Sequence, residues 1–302
     1  MNTSRHRNLW AFQARYAPYL FISPFVILFC AFMAWPLLRS VVLSLQKFAT
    51  PRTSRFVGLD NYAFLIRDKA FWYSVANTVY FTLFFLPLQI TLSLGLALLL
   101  NNRRLRFRNF FRFAFFSSHL VGGVFVAVIF SLLLAERHGL INRAIAAILP
   151  GVGSEVQWLA KPSLAMPAIV MASLWLSVGY GMIYFLAALQ AVDHELYDAA
   201  AVDGASAWQR FRHITLPGIR PVLNFMLLVG VIGSLQLFEL PYVMFQGQNP
   251  FAVTVVMYLF IMGFDTGDLG YASAVGWMLV LMISMIAVVP IRRAFRREAS
   301  GL

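Results

Sequence analysis

Six stretches of this chain are too long and too apolar to be core segments of a soluble domain: about Tyr19 to Leu45, Val75 to Leu100, Phe110 to Ala135, Ser163 to Leu189, Val222 to Phe245 and Tyr271 to Ile291. A bilayer core about 30 Å thick is crossed by ~20 residues of α-helix, so each stretch is long enough to span once. Within hydrocarbon every backbone donor and acceptor must be satisfied internally, which selects helices for runs of this length. The expected fold is therefore an all-α integral membrane protein with six transmembrane helices. Composition agrees, with 60% hydrophobic and 12% charged residues and a mean hydropathy of +0.74, far from the soluble range. The runs are too long for barrel strands, and the first is longer than the apolar core of a secretory signal. Pro24, Pro36, Pro87, Pro167 and Pro241 lie within or at the ends of spans. Neighbouring helices can take up the carbonyls that proline frees, so kinks are expected there.

An even number of spans leaves both termini on one side, and basic residues decide which side that is. One side collects Arg5, Arg7, Arg15, the loop Arg103, Arg104, Arg106, Arg108 and Arg112, then Arg210, Arg212, Arg220 and the tail Arg292, Arg293, Arg296 and Arg297. The other holds the smaller set of Lys47, Arg52, Arg55, Arg67, Lys69, Arg137, Arg143 and Lys161. Both termini are thus expected in the cytoplasm, as cytoplasmic tails 1–18 and 295–302 flanking a six-span domain 19–294. The same arginines account for the net charge of +12. They are dispersed over short loops without an aromatic platform, which argues for topology and contact with anionic lipid headgroups, and against nucleic acid.

No catalytic constellation is legible. A phosphate-binding P-loop needs lysine after glycine, and Lys47, Lys69 and Lys161 do not follow one. The five histidines show no ligand spacing with one another or with Cys30, the single cysteine, so neither a metal site nor an intramolecular disulfide is expected. His119 beside Ser117 and Ser118 lacks a nucleophile elbow, and a packing or hydrogen-bonding role suits it better.

The most informative polar passage is DAAAVDGASAWQRFRHITLP, Asp198 to Pro217, in the loop at 190–220 between the fourth and fifth spans. Asp193, Glu195 and Asp198 precede an alanine run, as suits a helix start. Gly204 stops that helix. Ser206 and Gln209 then have the spacing of a capping box. Trp208, Phe211 and Ile214 recur three apart on one face, and Pro217 is expected to end the second helix. The pattern reads as helix, glycine turn, helix. Three adjacent alanines permit close approach of another backbone, which favours a docking element over a simple membrane-surface anchor.

The order Asp198-Ala199-Ala200, three residues, Gly204, nine residues, Ile214-Thr215-Leu216-Pro217 resembles the EAA loop of ABC importer permeases, Glu-Ala-Ala, x3, Gly, x9, Ile-x-Leu-Pro. Aspartate stands where the signature has glutamate, keeping the charge on a shorter arm. Phe56-Val57-Gly58-Leu59-Asp60-Asn61-Tyr62, Phe71-Trp72, Asn77-Thr78 and Gly270-Tyr271-Ala272-Ser273-Ala274 are similar to the maltose and glycerol-phosphate (sugar-type) branch of that family. Gln246-Gly247-Gln248-Asn249-Pro250 departs from the Gly-Gly-Pro turn frequent there. The resemblance implies a type I importer permease fold in a bacterial inner membrane, working by alternating access with a second homologous permease, two ATPase subunits and an extracytoplasmic substrate-binding protein. It implies that Asp198, Ala199, Ala200, Gly204, Trp208, Phe211, Ile214, Leu216 and Pro217 couple to the ATPase. It further implies that ATP and Mg are bound by that partner, with no cofactor on this chain, and that the cargo is a carbohydrate or polyol derivative.

For the pathway itself the fifth span offers Gln236, Glu239 and Tyr242, spaced by three and expected as a polar ridge facing the bundle interior, because a carboxylate facing hydrocarbon costs several kcal/mol. Trp175, Tyr180 and Tyr184 of the fourth span are expected to cover the apolar faces of a sugar ring beside that ridge. Alternatively Glu239 pairs with a basic group or reaches the headgroups. An ion-gradient-driven secondary transporter is the rival reading, but it calls for paired intramembrane acids, and here Glu239 stands without another near it in a span.

Overall fold

The computed structural model describes residues 3–50, 53–102, 105–148, 156–247 and 249–299. Arg52, Arg103, Arg104 and Gln248 lie outside the described residues. In chain order the elements are α1 (Thr3–Phe29), α2 (Trp35–Ser44), a hairpin of β1 (Gln46–Thr50) and β2 (Thr53–Phe56), α3 (Asp60–Arg67), α4 (Lys69–Asn101), α5 (Arg108–Ser117), α6 (Gly123–Leu133), α7 (Leu140–Ile148), α8 (Pro162–Ala191), α9 (His194–Val202), α10 (Ala207–Arg210), α11 (Leu216–Gly218), α12 (Arg220–Leu235), α13 (Glu239–Phe245), α14 (Val255–Phe260) and α15 (Leu269–Ala299). Five helical segments among the described residues are long and apolar enough to cross a membrane, and a sixth span is available if the bent pair α5 and α6 is counted as one. The chain divides into two compact units, 1–66 with 262–277, and 67–261 with 278–302.

In the first unit α1 passes through a π-turn at Cys30–Ala34 into α2. That wide turn stands just ahead of Trp35-Pro36, where the proline has no N–H for the helical ladder. Apolar side chains along this segment are exposed, Phe21 and Phe32 among them, as a lipid-facing surface requires. Two of the sequence motifs meet here. Gly58 takes a left-handed φ of 57°, and the buried Asn61 that follows donates to the carbonyls of Ser44 and Gln46, both at 2.8 Å. Tyr62 Oη donates to Ser44 Oγ at 2.9 Å. Gly270 lies so close to Gln46 that a Cβ there would stand 1.8 Å from the Gln46 carbonyl oxygen, and Tyr271 sets its ring edge-on to Phe64 at 5.2 Å. The Gly-Leu-Asp-Asn-Tyr and Gly-Tyr-Ala segments are thus one structural feature.

The second unit is organised on α4 and α8. Small residues let their backbones approach: a Cβ on Gly181 would meet Ser93 Oγ at 2.5 Å and Gln89 Nε2 at 2.7 Å, and Ser93 Oγ donates to the Val178 carbonyl at 3.0 Å. Two buried clusters flank this seam. One joins Phe81, Phe85, Val126, Phe130, Ile169 and Leu240; the other joins Leu100, Met182, Phe185, Leu189, Ile219 and Met226. The Asn77-Thr78 pair anchors the segment before α14, with Asn77 Nδ2 donating to the Pro250 and Val253 carbonyls and Thr78 Oγ1 accepting from Val255 N at 3.0 Å.

Two expectations are corrected, and one element was not foreseen. The third span is not one helix: α5 and α6 meet at 99°, after a 3₁₀ turn at Ser118–Leu120 and the extended pair Val121-Gly122. The fifth span also breaks, at Gln236–Phe238, between α12 and α13. The outer connection after the fifth span contains α14, an apolar helix that packs into the unit with Val255 and Met257 fully buried. By contrast Pro87 and Pro167 leave α4 and α8 continuous.

Candidate functional site

The 193–218 segment folds as the sequence pattern requires at its centre. Asp193 Oδ1 caps α9 by accepting from Glu195 N at 2.9 Å. Its far end closes with a Schellman arrangement: Ala205 N donates to Ala200 O at 2.9 Å and Gly204 N to Ala201 O at 3.2 Å, with Gly204 at φ 74°. That conformation suits glycine. Ser206 follows with a complete capping box, since Gln209 N donates to Ser206 Oγ at 3.3 Å and Ser206 N to Gln209 Oε1 at 2.7 Å. The hairpin is tied back through Tyr197 Oη and Thr215 Oγ1, 2.9 Å apart, and through the fully buried Ile219.

Its second half departs from expectation in two ways. Pro217 does not end the helix. A π-turn at Phe211–Thr215 precedes it, and the chain then continues through α11 to Ile219 and into α12; the wider turn gives the ring room at the point where the ladder lacks a donor. Nor do Trp208, Phe211 and Ile214 share one face. Trp208 stacks on Phe211 at 5.5 Å and is 67% exposed, while Ile214 packs inward on the cluster around Leu189 and Ile219. Three-residue steps fall about 60° short of a helical turn, and the π-turn shifts the register again. Asp198, Ala199, Gly204 and Pro217 are exposed, with Ala200 and Leu216 half-buried, so the outer surface carries a carboxylate, alanines, a glycine turn and an indole.

The second cluster of candidate residues lies where the two breaks come together. Glu239 is the first residue of α13, and its carboxylate covers Gly123, the first residue of α6, so closely that a Cβ on that glycine would stand 2.3 Å from Glu239 Oε2. One carboxylate therefore sits at two helix N-termini, where backbone N–H groups and the helix dipole favour negative charge. Four residues before Gly123, His119 stacks on Tyr180 at 4.5 Å. Tyr180 Oη donates to Tyr184 Oη at 3.0 Å, and Tyr184 lies 5.9 Å from the Phe225 ring of α12.

The continuous ridge expected for Gln236, Glu239 and Tyr242 does not exist, because the helix stops at Leu235 with Gln236 as its exposed C-cap and restarts at Glu239. Tyr242 instead packs between Phe238 at 5.1 Å and Phe260 at 4.9 Å. Trp175 is also separate from Tyr180 and Tyr184. It packs against Phe130 at 6.1 Å and borders a largely apolar recess of about 630 Å³ with Phe111, Phe115 and Val178. Five residues on a helix turn the direction by about 140°, which separates the indole from Tyr180. Sequence reasoning missed Gly123 and Phe225, whereas the packing role expected of His119 is met by its stacking on Tyr180. The one available signal was Gly122-Gly123 inside an apolar run, a pairing that often marks a break.

Among the described residues no group of His, Cys, Asp and Glu is arranged to hold a metal.

The comparisons with known proteins fit this architecture. Residues 62–294 match the family described as "Binding-protein-dependent transport system inner membrane component". The arabinooligosaccharides transport system permease protein AraP of Bacillus subtilis (strain 168) is 33% identical over 292 residues, covering 96% of this chain and 92% of that protein. The lactose transport system permease protein LacF of Rhizobium radiobacter is 34% identical over 284 residues, covering 93% and 94%. The trehalose/maltose transport system permease protein MalF of Thermococcus litoralis is 33% identical over 282 residues, covering 93% and 94%. Among solved structures, a chain of a bacterial alginate ABC transporter in complex with an alginate pentasaccharide-bound periplasmic protein superposes with a TM-score of 0.84 at 23% identity, covering 95% of this chain and 97% of that one, a likeness of fold. With the family match spanning most of the chain and permease relatives aligned over nearly their whole length, this protein belongs to the family of binding-protein-dependent transport system inner membrane components.

Proposed function

We propose that this chain is a membrane-spanning permease subunit of an ATP-driven bacterial importer of a carbohydrate or polyol derivative, forming half of a pathway that works by alternating access. The observation that carries the reading is the 193–218 hairpin: a Schellman-closed glycine turn and a capping box hold an exposed surface of small residues and one indole at the end of α8 and the start of α12. A rigid element of this kind converts closure of a docked ATPase into movement of the two spans it joins. Asp198, Ala199, Ala200, Gly204, Trp208 and Phe211 form the docking surface, and Ile214, Leu216 and Pro217 fasten it to the spans. ATP and Mg are held by two ATPase subunits, a second permease completes the pathway, and an extracytoplasmic binding protein delivers the cargo. The substrate class rests on the arabinooligosaccharide, lactose and trehalose/maltose permeases among the relatives. Both termini and the hairpin face the cytoplasm of a bacterium, and the protein is a multi-pass component of its plasma (inner) membrane.

Within the membrane, Gln236 and Glu239 line the pathway at the junction of the two helix breaks and the Tyr180–Tyr184 pair lines it beside the Phe225 turn of α12, with the amide and carboxylate serving substrate hydroxyls and the rings serving apolar sugar faces. Tyr242 and Trp175 support the surrounding packing.

The test is Gly204→Val in the complete transporter. Nothing lies within 4 Å of a Cβ at this position, so only the left-handed backbone is strained. A β-branched residue resists that conformation. The variant is expected to insert and fold while losing substrate-stimulated ATP hydrolysis and uptake; wild-type transport by Gly204→Val refutes the coupling role.

A further inference from the structure

Arg108 and Arg112 lie four residues apart on α5, a spacing at which like charges on a helix repel. Both line one recess of about 550 Å³ with Asn101 at the end of α4, Gln190 in the last turn of α8 and His194 in the first turn of α9. Among the described residues every lining side chain is a cation, an amide or an imidazole, and no carboxylate lies among them. Arg112 has one evident task within the protein, since its Nη2 donates to the Leu100 carbonyl at 2.8 Å and so satisfies the C-terminus of α4. Its Nε is buried and without a partner. The α4 cap also leaves unexplained why Arg108 and His194 converge on the same space from two other elements.

We propose that this recess is a binding site for a phosphate oxyanion, in which Arg108 and Arg112 supply charge-assisted hydrogen bonds while Asn101, Gln190 and His194 complete the donor set. A guanidinium fork matches phosphate geometry, and a bound anion turns the repulsion between the two arginines into shared attraction. The volume is that of a small-molecule cleft and has room for the polar group a phosphate carries. A phosphoglycerol lipid headgroup and a free phosphate share this chemistry. Because Gln190 and His194 flank the point where α8 passes into the hairpin, an occupied site ties α5 to the hairpin's base. The inference depends on the chain's own binding and not on transport, so it stands or falls separately from the function proposed above.

The test is thermal unfolding of the full purified chain in nonionic detergent, titrated separately with short-chain phosphatidylglycerol, short-chain phosphatidylcholine and inorganic phosphate. Phosphatidylglycerol is expected to raise the midpoint saturably, and more than phosphatidylcholine does. The half-saturating concentration should rise about tenfold or more in Arg108→Gln and in His194→Gln, as loss of a charge-assisted bond requires. Arg106→Gln, an exposed arginine that does not line the recess, should match the wild type. A rise with phosphatidylglycerol alone identifies the lipid headgroup, and a rise with inorganic phosphate too identifies a site open to soluble phosphates. Equal effects of the two lipids, no shift with any ligand, or the same half-saturation in Arg108→Gln and Arg106→Gln overturns the proposal. Arg112→Gln is not the deciding variant, because it also removes the cap on α4.

Discussion

Gly179→Ala tests whether close helix approach is what sets this architecture. The Cβ it adds would stand 1.8 Å from the Phe115 carbonyl oxygen, 2.4 Å from its carbon and 3.0 Å from Phe116 N. A carbon settles against a carbonyl oxygen at about 3.3–3.6 Å, so α5 and α8 would have to part by about 1.5 Å. The obstacle is main chain, which no rotamer change removes. Overpacking by one methyl costs about 1–3 kcal/mol, and a backbone clash belongs at the top of that range. At about 3 kcal/mol the thermal midpoint of the detergent-purified protein should fall by about 5–10 °C. Uptake should fall as well, because His119, two residues beyond the α5 C-terminus, stacks on Tyr180, the residue next to Gly179. Gly95→Ala is the matched control on α4, where nothing lies within 4 Å of the new Cβ. Helix propensity predicts a midpoint unchanged or raised there, by up to about 1 kcal/mol of stability. A Gly179→Ala midpoint at or above that of Gly95→Ala would refute the close-approach argument.

The remaining expectations concern orientation, pathway and scaffold. In a Cys30→Ser background, Arg106→Cys and Arg210→Cys should resist an impermeant thiol reagent added outside while Arg55→Cys reacts, and labelling of all three from outside overturns the orientation. Glu239→Gln keeps the shape at the α6 N-terminus but removes its charge, so stability should fall by about 1 kcal/mol in thermal unfolding. Uptake should fall in both Glu239→Gln and Gln236→Ala without loss of assembly or basal ATP hydrolysis, and unchanged uptake kinetics in both assigns these residues to the scaffold. Asn61→Ala removes both donors to the Ser44 and Gln46 carbonyls; leaving such acceptors unsatisfied should cost about 1–3 kcal/mol, read as greater protease sensitivity at the β1–β2 hairpin, and wild-type resistance counts against the role.

The sequence by itself determined the number and extent of the apolar runs, because hydrophobic length against bilayer thickness is a local quantity. It also determined the Gly204 turn and the Ser206–Gln209 box, whose hydrogen bonds close within a few residues. The family resemblance was legible for the same reason, being a matter of spacing along one loop. What only the tertiary structure decided lies where an apolar run conceals a break. Val121-Gly122-Gly123 and Gln236-Leu237-Phe238 pass as spanning helix by hydropathy, yet the Glu239 carboxylate lies close against Gly123 because the two breaks meet. A three-residue spacing then places Glu239 and Tyr242 in different surroundings, and Trp175 away from Tyr180, since facing depends on helix continuity and on which neighbour occupies each side. Pro217 failed as a stop signal because a π-turn absorbed its missing donor. The convergence of Arg108, Arg112 and His194 was beyond sequence reading for a simpler reason: the two arginines lie in the first turns of α5 and His194 opens α9, and only the packing of α4, α5 and α8 brings those ends to one place.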